Sequence, residues 1–210
     1  MRSKGVLFDM DGVLLKSMEQ HLEAWRDSFS RFEATVSEED FYQLEGRGVK
    51  SVVETLVDRY GIDPHFKDEI MLDKIKYYNR IFEPIFYDGI FTLLDDLKSR
   101  HIKMAVVTGG MRDRVSEIIN NHFGDYFSAS ITSDDVKDTK PFPEPYLKGA
   151  SALGLNPRDC IVVENAPMGV KAGKSAGMFV IAITTTLSRK YLEEADLIVD
   201  SFEQIYRYLL

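Results

Sequence analysis

Two carboxylates separated by one residue, Asp9 and Asp11, stand directly after the apolar run Gly5-Val6-Leu7-Phe8, with a turn glycine at Gly12. Acids at this spacing can divide two tasks, one attacking an electrophile and the other moving a proton. Buried strands seldom end in unpaired acids, because charge at the rim of a core is costly to desolvate. Either the pair steps out into solvent, or this strand ends at a reaction centre, since open α/β sheets bind their ligands at the carboxyl ends of strands. Further polar residues follow later apolar runs. Thr108-Gly109-Gly110 follows Ala105-Val106-Val107, Glu164-Asn165 follows Ile161-Val162-Val163, and Lys140 opens Lys-Pro-Phe-Pro-Glu-Pro. Singly these are a helix cap, a solvated strand end and a loop lysine. Together they are a set of groups suited to Mg²⁺ and a phosphoryl group. Mg²⁺ takes a few hard oxygen ligands and leaves positions to water or phosphate. Glycine amides at a helix start suit phosphate oxygens, and a lysine supplies the remaining positive charge.

The elements that must position these groups change character along the chain. Met18, Leu22, Trp25, Phe29 and Phe32 recur at steps of three and four, one apolar stripe of a helix that Ser17 can cap. Ser17 and His21, four apart, lie on the edge of that stripe. Val52, Val53, Leu56, Val57 and Tyr60 mark a second helix before Gly61. Asp63-Pro64 starts a third, which carries Phe66, Ile70, Ile75, Tyr78, Ile81 and Phe82. From Gly89 onward helices alternate with β-branched strands: Lys103 to Val107, Ala129 to Ile131, Ile161 to Val163, Phe179 to Ile183 and Leu197 to Val199. The pattern predicts an α/β fold, a Rossmann-like doubly wound parallel sheet formed by residues 1–14 and 86–210, with an α-helical cap inserted at 15–85. In a parallel sheet the strand ends converge on one crevice, which is what the scattered polar groups need.

Composition narrows the classes. The 210 residues are 44% hydrophobic and 29% charged with a formal charge of −8, which argues against a nucleic-acid partner. The one cysteine, Cys160, opens Cys-Ile-Val-Val and reads as a buried structural thiol; it excludes an internal disulfide. No apolar run reaches the ~20 residues of a membrane span, and Asp9 and Asp11 interrupt what would be the apolar part of a leader. The expectation is a cytoplasmic protein with a small phosphorylated substrate and no obligate protein partner.

The ordered set Asp9-Met-Asp11-Gly-Val, Thr108 after an apolar strand, Lys140-Pro-x-Pro, and Glu164-Asn165 with Gly169 behind it resembles the haloacid dehalogenase superfamily. The resemblance runs essentially the whole length, within the branch of β-phosphoglucomutase and the small sugar-phosphate phosphatases. It implies that Asp9 is a nucleophile forming an aspartyl-phosphate, and that Asp11 is the general acid and base. Thr108, with Gly109 and Gly110, would hold phosphoryl oxygens, and Lys140 would offset charge. Asp9, Asp11 through its carbonyl, Glu164 and Asn165 would hold Mg²⁺. Ser17, His21 and Trp25 match cap-side positions of the mutase.

Two departures stand out. The family usually has an acid where this chain has Asn165, so weaker metal binding is expected, with Asn165→Asp tightening it. The mutase's cap lysine appears here as Glu45-Gly46, followed by Arg47 and Lys50. A mutase holds a second phosphate under its cap, which Glu45 opposes, leaving Arg47 or Lys50 to bind substrate. Hydrolysis of a sugar phosphate is therefore the leading expectation. A β-phosphoglucomutase-type phosphotransferase is the alternative within the family, and a receiver-like phosphate-binding module with a degraded site is the alternative from another class.

Overall fold

A computed structural model describes residues 4–209. The chain forms β1 (Gly5–Phe8), then four helices in succession: α1 (Met18–Ser30), α2 (Glu38–Tyr42), α3 (Val49–Arg59) and α4 (Lys67–Ile81). Alternation follows with α5 (Ile90–Ser99), β2 (Lys103–Val107), α6 (Arg112–Ile118), β3 (Ala129–Ile131) and α7 (Glu144–Ala152). The chain ends with β4 (Cys160–Glu164), α8 (Pro167–Ser175), β5 (Phe179–Ile183), β6 (Leu197–Val199) and α9 (Phe202–Leu209).

All six strands pair in parallel in the order β3-β2-β1-β4-β5-β6. Both faces of the sheet are covered, which is why residues 6–8, 104–107, 160–163 and 179–183 are apolar at successive rather than alternate positions. Alternate residues serve opposite layers. Val6 and Phe8 join Leu94 of α5, Ile118 of α6 and Ile205 of α9 on one face, while Leu7 joins Tyr146 of α7 and Val170 of α8 on the other. The strand order reverses direction between β1 and β4, the switch point where a doubly wound sheet opens a crevice. Asp9 follows one of these strands and Glu164 ends the other.

A third core lies among α1 to α4, where Trp25, Phe29, Leu56 and Ile70 are buried together and Leu187 reaches in from the sheet side. Burying each large side chain of this kind contributes on the order of 1.5–3 kcal/mol. Phe32, expected in the first helix, falls just beyond it. Asp63 does cap at Pro64, but what it caps is a single 3₁₀ turn, Pro64–Phe66, through its carboxylate accepting from the His65 amide. The apolar periodicity gives no sign of the short α2, and the helix beginning at Arg112 finishes in a π-helical turn, Ile119–Phe123. No helix among the described residues is long and apolar enough to cross a membrane.

Candidate active site

The site is built at the switch point. Asp9 leaves β1 with its amide bonded to the Val163 carbonyl at 3.0 Å, so the sheet ladder still fixes its backbone. Its carboxylate is 3% exposed and receives the Lys140 ammonium at 2.5 Å. Lys140, carried by the loop before α7, also donates to Glu164 Oε1 at 2.6 Å and to the Val107 carbonyl at 3.0 Å. One buried cation thus binds the ends of β1, β2 and β4. Burial works against the Lys140 charge, but Asp9 and Glu164 outweigh it and hold the ammonium above its usual range. Burial is likewise the largest influence on Asp9 and pushes its carboxyl upward, with Lys140 pulling the other way.

Glu164, expected as a metal ligand, has a different engagement. Oε1 accepts from Lys140 and from Tyr146 at 2.8 Å, and Oε2 accepts from the amides of Asn165 and Ala166 at 2.9 and 3.2 Å. Its in-plane lone pairs are thereby committed to these four donors. The close approach of α8 is what permits this: a Cβ on Gly169 would lie 1.7 Å from Glu164 Oε1.

Asp11 is held by three residues through four contacts. Ser17 Oγ donates at 2.5 Å, Arg114 places two nitrogens at 2.9 and 2.6 Å, and His21 Nε2 lies at 3.4 Å. Ser17 does occupy the position before α1, but its hydroxyl makes no capping bond and serves Asp11 instead. Burial alone would raise the Asp11 carboxyl, yet Arg114 and then His21 overcome it and hold it well below the usual range. His21 stacks on Tyr78 with ring centroids 4.0 Å apart and bonds Lys74 through Nδ1 at 2.9 Å. Burial, followed by the Lys74 charge, pushes the His21 imidazole down to about 3, so it is neutral here. Burial and the charge of Arg114 lower Lys74 to about 7.

A cavity of about 280 Å³ opens above these groups, lined on the sheet side by Asp9, Asp11 and Thr108-Gly109-Gly110, and on the helical side by His21, Trp25, Lys74 and Tyr78. The Gly110 amide donates back to Thr108 Oγ1 at 3.1 Å, which tightens the turn. The helical layer sits directly on it: a Cβ on Gly109 would meet the Gly46 carbonyl and the Gly48 amide at 2.8 Å each. Arg47, expected at the substrate, lies outside the cavity wall, which passes from Gly46 to Gly48, and Lys50 is exposed.

A divalent cation fits the donors present. Among the described residues no three His, Cys, Asp or Glu side chains form a ready cage, but Mg²⁺ asks for fewer acids than that. Asn165, 0% exposed, turns its amide nitrogen to Glu45 at 2.6 Å and Thr186 at 2.9 Å, leaving Oδ1 buried with no donor in reach. An orphaned acceptor in an acidic cluster is the kind of oxygen a cation takes. Lys74, Tyr78, Arg114 and Tyr146 carried no signal in the sequence beyond ordinary helix positions.

The chain matches the haloacid dehalogenase-like hydrolase family over residues 3–177. It is 32% identical to validoxylamine A 7'-phosphate phosphatase of Streptomyces hygroscopicus subsp. limoneus, over 96% of this chain and 95% of that one. It is 33% identical to hexitol phosphatase A of Escherichia coli K12, over 98% and 94%. The fold superposes on a β-phosphoglucomutase crystal structure from Clostridium difficile with a TM-score of 0.86 and 26% identity, covering 99% and 95% of the two chains. The parallel sheet with Asp9 at its switch point, the family match over most of the chain and two relatives above 30% identity over nearly their whole length lead to one conclusion: this chain belongs to the haloacid dehalogenase-like hydrolases.

Proposed function

We propose that this protein is a Mg²⁺-dependent phosphatase of a small phosphorylated metabolite, a sugar phosphate above all, working through an aspartyl-phosphate on Asp9. The observation that carries the reading is Asp9 itself, at the floor of the cavity, 2.5 Å from a buried lysine and beside the Thr108-Gly109-Gly110 turn. Two of the similar proteins act on sugar-like phosphate esters by name.

The chain's own groups divide the work. An Asp9 oxygen attacks phosphorus and the bond from phosphorus to the alkoxy oxygen breaks. To serve as the acid, Asp11 must first leave Arg114 and His21, which hold it ionised, and take up a proton, which it then gives to that leaving oxygen. Water then attacks the phosphoryl group, Asp11 takes up the water's proton, and inorganic phosphate leaves as Asp9 is regenerated. Thr108 and the glycine amides hold the non-bridging oxygens, and Lys140 keeps Asp9 oriented and offsets charge. Asp9, the Asp11 carbonyl and Asn165 Oδ1 would hold Mg²⁺, which supplies charge neutralisation to the phosphoryl oxygens when bound. Residues 15–85 act as the cap that admits substrate and excludes water, over a core of 1–14 and 86–210.

Hydrolysis is favoured over mutase chemistry by the cap loop. Its cations Arg47 and Lys50 stay outside the cavity wall, and Glu45 turns to the core rather than to a second phosphate. The test is a panel of phosphate esters with Mg²⁺, including β-glucose 1-phosphate with and without a bisphosphate primer. Phosphate release that disappears in Asp9→Asn is the expected result. Release that survives in that variant overturns the nucleophile, and glucose 6-phosphate formation overturns hydrolysis in favour of the mutase.

A further inference from the structure

The loop between α2 and α3 carries one carboxylate out of the helical layer and into the floor of the site. Glu45 is 5% exposed and accepts from Asn165 Nδ2 at 2.6 Å, with Thr186 Oγ1 at 3.4 Å. The loop that bears it is pressed on the core, with the Lys140 side chain 3.0 Å from where a Cβ on Gly46 would sit. Burial first, and then the charges of Asp9 and Glu164, push the Glu45 carboxyl well above its usual range, and among the described residues no cation lies within ion-pair distance of it. Lys140 pairs with Asp9 and Glu164. One ammonium faces three buried carboxyl groups, and a divalent cation supplies the charge with which all three can ionise.

The second observation is independent of charge. Glu45 holds the nitrogen of the Asn165 amide, and this fixes which way the amide points, so that Oδ1 is the atom left buried without a partner. The carboxylate and the orphaned carbonyl belong to one pair of residues that spans the boundary between the helical layer and the sheet.

We infer that Glu45 is a metal-site carboxylate delivered by the cap: with Asn165 Oδ1 and Asp9 it holds the divalent cation, so that cation binding and closure of the helical layer are one event. Asn165 then needs no charge of its own, because the acid comes from across the interface. Substrate entry, which requires the cap to lift, also loosens the cation, and closure restores it.

The inference rests on the phosphatase reading only in taking a divalent cation as the group bound. Mg²⁺ titration of the substrate-free protein by calorimetry, alone and in variants, tests it without reference to turnover. Glu45→Gln, which keeps shape and hydrogen bonding, should weaken Mg²⁺ binding by tenfold or more, and adding Asn165→Asp to that variant should restore it. Mg²⁺ should also slow hydrogen exchange of residues 43–50 in the wild type and leave it unchanged in Glu45→Gln. The wild-type exchange measurement stands even if a variant fails to fold. Mg²⁺ affinity that is equal or tighter in a folded Glu45→Gln, or wild-type exchange at 43–50 that ignores Mg²⁺, overturns the inference. Asp9-dependent phosphate release alongside either of those results would leave the phosphatase standing and remove only this role of Glu45.

Discussion

The guanidinium of Arg114 lies fork to fork on the carboxylate of Asp11, at 2.9 and 2.6 Å, and one of the same nitrogens donates to the Tyr78 hydroxyl at 2.7 Å. A helix of the sheet layer is thereby tied both to the end of β1 and to α4 of the helical layer. Bidentate pairs of this kind are the strong form of charge-assisted hydrogen bond.

Replacing Arg114 by Met should lower unfolding stability by about 2 kcal/mol in urea titrations. A fully buried pair broken on one side costs ~3–5 kcal/mol, and the figure is reduced for residual solvent access; the two side chains here are 18% and 14% exposed. The double variant Arg114→Met/Asp11→Asn should lose less than the sum of the two single losses, because the unpaired charge goes with the pair. Additive losses would show that the two residues act separately.

Gly169→Ala tests the hold on Lys140 from behind. The new methyl would overlap Glu164 Oε1 at 1.7 Å and Oε2 at 2.5 Å, so Glu164 must leave its place between Lys140, Tyr146 and the two amides. Overpacking of this type costs about 1–3 kcal/mol. Phosphate release should fall with it, whereas Gly177→Ala, strained by a φ of +73° although its Cβ meets nothing within 4 Å, should cost stability and leave release unchanged.

The strands were readable to the residue at β1, β2, β3, β5 and β6, because each is a short run with polar or turn residues close by on either side. Element α2 was not, since five residues form barely one turn and show no period; what holds it is the Ser37 hydroxyl accepting from the Asp40 amide and the burial of Phe41 and Tyr42. Strand-end polar groups were legible for the same reason as the strands. Arg114, Tyr146 and Lys74 were not, because each sits on a helix surface until a distant element closes over it. Asn165 and Glu45 read as two unrelated departures, 120 positions apart; in the fold they are hydrogen-bonded partners. The expected gain from Asn165→Asp alone also changes with that contact, since a second carboxylate would then face Glu45.

Glu144 predicts a pH effect. Its carboxylate accepts from the Lys137 and Asp138 amides at 3.1 and 2.8 Å and pairs with Lys148 at 2.8 Å, bracing the loop that carries Lys140. Lys148 and then the Asp138 amide lower it to about 2 from 4.5. A depressed folded value means stabilisation that is complete above the unfolded value and is lost as pH falls through the folded one. The melting-temperature gap between wild type and Glu144→Gln should be constant from pH 6 to 8 and narrow below about pH 4.5. A gap that widens in acid would contradict this.

Cys160 is 1% exposed, and burial pushes its thiol up to about 11. At pH 8 only about one molecule in a thousand would carry the thiolate. Ellman's reagent should therefore leave the native protein unlabelled and take up one equivalent after unfolding in urea.

The bridge between Leu15 and Phe86, with the Lys16 amide bonded to the Ile85 carbonyl at 2.8 Å, brings together the two places where the chain departs for the helical layer and returns from it. Departure and return share one doorway beside β1. A segment anchored like this can lengthen, shrink or be exchanged for another without asking any strand to move, because the sheet meets the same two neighbouring chain ends whatever hangs from them. The shape of the ceiling can thus change while the strands stay put, provided each new segment brings its own counterparts of Ser17, His21 and Glu45 to the floor. Grafting the stretch between Leu15 and Phe86 from a relative of different substrate preference is the laboratory form of that exchange.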